Sequence, residues 1–482
     1  MALLVLVAAS LTTGVLSDPD TLWHIAAGRW MVEHRELPMQ DMFSWTMPGT
    51  PWTAHEWLAE LLLYAVWSIG GFPAVVALSA GSFALTSVVV TRFLAARLEP
   101  QQLLPVALLV LGILSTHYLA RPHVLAWPLL GLWIGTLVEA VDARRPPPRW
   151  LLIMLVLWAN LHASFTLALG ISAGLALDAL LLAPSAAKRW DVVRQWGGFG
   201  AGALVACAIN PNGLGTLLHA VQMMRMQEML ALINEWQSAN FHEFQIVLLW
   251  MVMVFGLALT GRLRLSPVRM LLVLGLFYMA LKHGRYHSIL ALGSIFFLAA
   301  PLAEALRFRG AADAPTAQTR TLDAVMARLH RPTHPMAIIG ALVLAGGWLT
   351  LATPLLPAGP PDRIAPARAL AAYQASNPAS HRLLNGYGFG GYLIFRRVPV
   401  SIDGRADMYG DPFLRELADA VTLKAPHALE RYLERYRIDG TLLAPNTPAV
   451  ELLDHLPGWQ RLYGDSVAVV HVRRADQRAR SR

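Results

Sequence analysis

Two aspartates separated by one proline, Asp18-Pro19-Asp20, follow the first apolar run of the chain directly. Carboxylates two positions apart can share a divalent cation that is bound to a phosphate, or one can act as general base while the other orients it. They can equally cap the amphipathic helix that the pattern predicts from Thr21 to His34. His24 lies four positions after Asp20 on the same helical face, where it can orient Asp20, ligate a metal, or sit at an interface beside Trp23. A third candidate acid is Glu235, set between Asn234 and Trp236 in a long polar connection at 211–243. Loops of that length often carry function, although a merely solvated glutamate is the alternative.

A cationic set accompanies these acids: Arg121, His123, Lys282 and Arg285, with His283 and His287 beside the last two. A departing phosphate or pyrophosphate needs such cations as its bond breaks, and arginine suits bidentate phosphate contact. Anchoring to lipid headgroups is the competing role. His55-Glu56-Trp57 opens an apolar segment. Glu56 there either faces a substrate or complements a helix dipole, and Trp57 fits an interfacial anchor. Asn160, His162 and Asn210 can hydrogen-bond hydroxyl groups of a substrate or cap helix ends. Asp403, Arg405 and Asp407 can build a turn with an internal salt bridge.

These residues need a membrane scaffold to hold them. The 482 residues are 55% hydrophobic and 15% charged, against roughly 25% charged in soluble domains. Repeated apolar runs approach the length of about 20 residues that a helix needs to cross a bilayer. Net charge is +8, but Lys and Arg fall mainly in short connections, where positive charge sets orientation. That placement argues against a nucleic-acid partner. The single cysteine, Cys207, excludes an intramolecular disulfide and a cysteine-based metal cluster.

Hydropathy predicts about eleven transmembrane helices, at 2–17, 73–94, 103–118, 123–141, 150–165, 166–184, 195–210, 244–260, 268–282, 286–303 and 336–354. The run 2–17 has a signal-peptide-like core but no basic leader, so it is expected to be a retained helix. The run 56–70 decides the topology. Read as a juxtamembrane helix, it places Arg92, Arg97, Arg144, Arg145, Lys188, Arg189, Arg262, Arg264 and the basic loop 305–334 on the cytoplasmic side. The acidic and cationic motifs above then gather on the outer side, at the rim of one face. Polar groups beside the hydrocarbon are costly and mark sites.

The expected fold class is therefore mainly α: a polytopic helical membrane domain at 1–356, with its first outer loop at 18–72. A small extracytoplasmic α/β domain at 357–482 follows a proline-rich stretch. In it, strands are expected at Val398–Ile402, Thr441–Leu443 and Ser466–Val472, and helices at 363–375, 411–422 and 426–436.

With its acidic first outer loop, the juxtamembrane helices in that loop and the outer C-terminal domain, the chain resembles the GT-C superfamily of integral membrane glycosyltransferases. The first loop, from Asp18 through Trp52-Thr-Ala-His-Glu-Trp-Leu58, parallels the aminoarabinose and protein-mannosyl transferase branch. By that resemblance Asp20 or Asp18 is the first-loop acid implicated in catalysis. The stretch Asn385-Gly-Tyr-Gly-Phe-Gly-Gly-Tyr-Leu393, followed by Ile402-Asp-Gly-Arg-Ala-Asp-Met-Tyr409, is similar to the oligosaccharyltransferase arrangement, in which a Trp-Trp-Asp-Tyr-Gly motif contacts the acceptor. Here the Trp-Trp-Asp portion is absent and Asn385-Gly386 stands in its place. By that resemblance Tyr387, Asp403, Arg405 and Asp407 are expected to contact the acceptor. Glu235 corresponds by analogy to a catalytic glutamate of a long outer loop.

The resemblance implies transfer of a sugar from a polyprenyl-phosphate-linked donor to a glycan, lipid or protein acceptor, at the outer face of a bacterial inner membrane. A divalent metal, Mg or Mn, held by Asp18 and Asp20 is one option for the cofactor. A non-catalytic envelope-assembly protein and a lipid or polysaccharide transporter are the alternatives. The transporter reading would call for polar groups at mid-membrane and paired halves.

Overall fold

The computed structural model describes residues 1–226, 231, 233–307, 335–376 and 382–474. The predicted basic loop therefore lies, from 308 to 334, outside the described residues. Among the described residues the fold is mainly helical, with one small sheet. Among the described residues, four helical segments are long and apolar enough to cross a membrane: Trp57–Ala95, Pro122–Asp142, Ala163–Leu181 and Gly284–Ala305. Shorter apolar helices at Pro100–Ser115, Trp150–Leu161 and Ile246–Leu259 pack beside them. At a rise of about 1.5 Å per residue, such helices fall short of a hydrocarbon core of about 30 Å.

The first helix, α1, is Ala2–Ser10, and a 3-10 turn at Thr13–Leu16 takes up the rest of the run expected to be helical. Helix α2, Asp20–His34, starts with an acid in its first turn, where the helix dipole favours negative charge. Helix α3, Trp57–Ala95, joins the run 56–70 to the following span. It is broken at Gly70 and Gly71, the latter at φ 62°, a conformation that glycine adopts without penalty. The run 56–70 and the apolar run after it are thus one continuous element with a kink between them. Helix α4, Pro122–Asp142, begins at a proline, and Arg121 before it is extended (φ −127°, ψ 161°). Proline disfavours helical geometry in its predecessor, so the sequence itself stops the preceding turn at Arg121.

Beyond residue 357 a four-stranded sheet forms in the order β1-β2-β4-β3, with β1 at Leu383–Asn385, β2 at Gly440–Leu443, β3 at Trp459–Gly464 and β4 at Val469–Arg473. β1 and β2 are parallel, and the other pairs are antiparallel. The strand expected at Val398–Ile402 is not part of this sheet. Val400 instead bridges to Ser44 of the first loop, with Val400 N–H donating to Phe43 O (3.1 Å) and Trp45 N–H to Val400 O (3.0 Å). The glycine-rich stretch after β1 likewise feeds a short helix at Gly390–Phe395.

Two apolar cores result. One is built from the long helices. The other combines the residues around the sheet with Leu22, Trp23, Ala26, Trp52 and Ala54 of the first loop. The first loop consequently packs into the core around the sheet, and the two meet over Asp18-Pro19-Asp20.

Candidate active site

Two hydrogen bonds bring the acidic corner to Arg121. Ala120 N–H donates to Val15 O (2.8 Å), and Thr21 Oγ1 donates to Ala120 O (3.0 Å). The Arg121 guanidinium then meets Asp18 Oδ2 at 3.0 Å, Asp20 Oδ2 at 2.7 Å and Glu235 Oε1 at 2.9 Å. Three acids from two distant loops converge on one cation. Burial alone would lower the Arg121 guanidinium, but the three carboxylates hold it well above its ordinary range.

The remaining oxygens of the two aspartates are engaged as well. Asp18 Oδ1 accepts the Asp20 backbone N–H (2.8 Å), and Asp20 Oδ1 accepts the Trp23 indole N–H (3.0 Å). Burial pushes the Asp20 carboxyl up to about 7 against the pull of Arg121, with Asp18 and Glu235 reinforcing the rise. Burial also favours a neutral Glu235, yet Arg121 and Arg285 hold that carboxyl well below its usual value. The two carboxylates have been driven apart in acidity, which is how environments divide acid–base roles.

Glu235 is positioned by a 3-10 turn, Asn234–Trp236, that lies against the turn at 283–286. Gly284 N–H donates to Gln237 O (2.8 Å), His283 Nδ1 bonds Trp236 O, and the Arg285 guanidinium stacks 4.1 Å above the Trp236 ring. Arginine on an aromatic face keeps its N–H edge free for an anion.

One cleft is lined by Asp20, His24, His55, Glu56, Arg121, Glu235, Arg285, Tyr387, Arg405 and Asp407. A second cleft shares Glu235 and Arg285 and adds His123, His162, Ser164 and the apolar wall of Trp127, Leu130 and Ile289. Most sequence-derived candidates therefore do come together. Four do not join them in this way. Lys282 is exposed and lines neither cleft. Asn160 accepts from Trp57 Nε1 (2.8 Å) and donates to Val156 O and Ile209 O, tying three helices. Asn210 closes its own turn through Cys207 O, Gly213 O and Thr216 Oγ1. Asp403 is wholly buried, and both of its oxygens are taken by Arg405 (2.8 Å each) and by the Tyr409 hydroxyl (2.7 Å).

Arg405 completes a buried clamp. It pairs with Asp41 Oδ1 at 2.7 Å and lies 4.8 Å from the Trp52 ring, fastening the C-terminal segment to the first loop. Glu60 and His219 join the site without having been singled out in the sequence. Glu60 Oε1 stands 3.4 Å from His24 Nδ1, and Glu56 spans His24 Nε2 (3.6 Å) and His162 Nε2 (3.4 Å). A carboxylate inside an apolar helix, four positions after Glu56, was the available signal for Glu60. His219 Nε2 pairs with Asp407 Oδ2 at 3.1 Å, from a helical position with no distinguishing pattern.

The first-loop aspartates suggest a divalent ion at this corner. Among the described residues no group of three or more His, Cys, Asp or Glu side chains is arranged to hold a metal. The space between Asp18, Asp20 and Glu235 is filled by the guanidinium of Arg121. The set does not fit a metal at this point.

No family model and no curated protein matches the sequence. Solved structures do match in fold. The apo crystal structure of the Archaeoglobus fulgidus oligosaccharyltransferase aligns over 92% of this chain and 69% of its own, with TM-score 0.51 and 11% identity. The archaeal oligosaccharyltransferase AglB from Archaeoglobus fulgidus, in complex with an inhibitory peptide and a dolichol-phosphate, aligns over the same shares with TM-score 0.52 and 12% identity. At such identities the likeness is one of architecture, and on that architecture the chain has a GT-C-like fold.

Proposed function

We propose that this chain is a membrane glycosyltransferase that takes a sugar from a polyprenyl-phosphate-linked donor and passes it to an acceptor on the extracytoplasmic face. The observation that carries the reading is Asp20: a buried carboxylate of raised pKa, in a cleft that also holds fixed cations. The aligned AglB structure, with its peptide and dolichol-phosphate, supports a lipid-linked donor and a separate acceptor.

The acceptor hydroxyl loses its proton to Asp20 as its oxygen bonds the anomeric carbon of the donor. The bond from that carbon to the phosphate oxygen breaks, and its electron pair leaves with the phosphate. Proton abstraction needs a base whose pKa lies near the working pH, which suits Asp20. The phosphate gains charge as it departs, and preorganised cations at that point stabilise it. Arg285 sits where the two clefts adjoin, so the second cleft, with its apolar wall, takes the donor and its lipid, and the first takes the acceptor. His123 and His162 flank the donor phosphate. His24, His55 and Glu56 line the acceptor side beneath Tyr387 and Asp407. Residues 357–482 form the extracytoplasmic unit over the acceptor, residues 1–356 the membrane unit, and the inner membrane of a bacterium is the setting.

The test is transfer of label from radiolabelled polyprenyl-phosphate sugars in membranes that carry wild-type protein or Asp20→Asn. Label transfer that disappears in the variant at equal expression supports the reading. Equal transfer in both removes Asp20 as the base, and no transfer with any donor favours an assembly role for the fold.

A further inference from the structure

The carboxylate cluster at the head of the first cleft carries more information than a choice of base. Asp18, Asp20 and Glu235 would be natural ligands for a divalent ion if their oxygens faced a common vacant point. They face a guanidinium. Both oxygens of Asp18 and both of Asp20 are engaged, one on each with Arg121 and the other with the Asp20 N–H or the Trp23 indole. Glu235 reaches the same Nη1 of Arg121 that serves Asp18.

The position of Arg121 is fixed by more than these ion pairs. The proline that follows holds it extended, and the Ala120–Val15 and Thr21–Ala120 hydrogen bonds lock its backbone to the acidic corner. Only 13% of its side chain is exposed. A guanidinium presents five donors in a rigid planar fork and stays protonated, so it can hold several carboxylates at once without exchanging with solvent ions. Magnesium, in contrast, demands near-octahedral oxygen ligands at about 2.0–2.1 Å, and no such set is free while Arg121 is in place.

We infer that Arg121 is the resident cation of this cluster, doing permanently what a divalent ion would do there, and that the site operates without a divalent metal. Arg121 then orients Asp20 and keeps Glu235 ionised, as a positioning residue for the acidic group, while Arg285 remains for the phosphate. The mechanistic half of this inference rests on the glycosyl-transfer reading. The question of which cation occupies the cluster does not.

The experiment is a Mn2+ titration of the purified full-length protein in detergent, with free Mn2+ followed by electron paramagnetic resonance. Wild type is expected to take up no stoichiometric Mn2+. Arg121→Ala is expected to gain one site, which Asp18→Asn in the same background abolishes. One equivalent of Mn2+ on wild type, lost in Asp18→Asn, overturns the inference. A folded Arg121→Ala that gains no site also counts against it, and should that variant not fold, the wild-type titration alone decides. In membranes that transfer sugar, excess EDTA is expected to leave the rate unchanged. Loss of transfer that Mn2+ or Mg2+ restores would overturn the inference while leaving glycosyl transfer intact. Failure to observe transfer at all would strike the functional reading, and the titration would still report on the cation.

Discussion

Gly404 rests directly on the Asp20 carboxylate. A Cβ at Gly404 would collide with Asp20 Oδ1 and stand 2.7 Å from Trp23 Nε1. Gly391 makes a similar approach, to the carbonyl of Pro19. The two glycines let the C-terminal segment close on the acidic corner, with no room for any side chain between. Gly404→Ala is therefore expected to push Asp20 from its place while leaving the sheet intact. A displacement of about 1 Å at a reacting group costs about a hundredfold in rate. The check is transfer activity of the variant beside its thermal unfolding, with a large fall in the first and little change in the second.

The acidity of Asp20 gives a pH dependence of definite sign. With its carboxyl up at about 7, the base is protonated below that pH and ionised above it. Transfer should fall about tenfold per pH unit below 7 and level off above it, since only the ionised fraction accepts a proton. A rate–pH profile of wild-type membranes measures this. A flat profile from pH 5 to 8 would exclude Asp20 as the base.

Arg405 supports a prediction about stability. It is buried with Asp403 and Asp41, and Trp52 lies over its guanidinium. Removing one partner of a buried ion pair leaves the others unpaired and costs about 3–5 kcal/mol. Arg405→Ala should lower the unfolding temperature of the detergent-solubilised protein markedly. Arg405→Lys should restore only part of the loss, because an ammonium cannot bridge the two aspartates in the plane that the guanidinium uses.

The acids and cations of the site were legible because ionisable groups at the ends of apolar runs are expensive and seldom idle. Asp18, Asp20, Arg121 and Arg285 all announce themselves that way, and Glu235 by its place in a long connection. Their pairing was not legible, since nothing in local sequence says that Arg121 closes on acids from two other loops. Asn160 and Asn210 carried the same signal but spend it on backbone carbonyls at helix ends. The β-branched residues around Val400 read as a sheet strand, yet they pair with the first loop, a partner far away in sequence. Lys282 had the right charge at the right depth, but the chain turns so that Arg285, three residues on, is the cation that enters the clefts.

His219 and Asp407 set the last expectation. His219 belongs to a helix at Gly215–Met223, upstream of the turn that carries Glu235, and it pairs with Asp407 of the C-terminal segment at 3.1 Å. The hydrogen bond to Asp407 raises the His219 imidazole despite its burial, and the Asp407 carboxyl is lowered by His219 and His55 although burial opposes that. The ring of His55 stands 5.2 Å from that of His219. A histidine whose folded pKa is raised contributes stability that is complete below its unfolded pKa of 6.5 and is lost as pH rises through the folded value. The tie between the 211–243 connection and the C-terminal segment should therefore weaken on the alkaline side. Limited proteolysis in that connection is expected to speed up with pH in wild type. His219→Ala should be cleaved rapidly at every pH, with no such rise. Cleavage of wild type that is equally slow at pH 6 and pH 9 would show that the pair does not hold the loop.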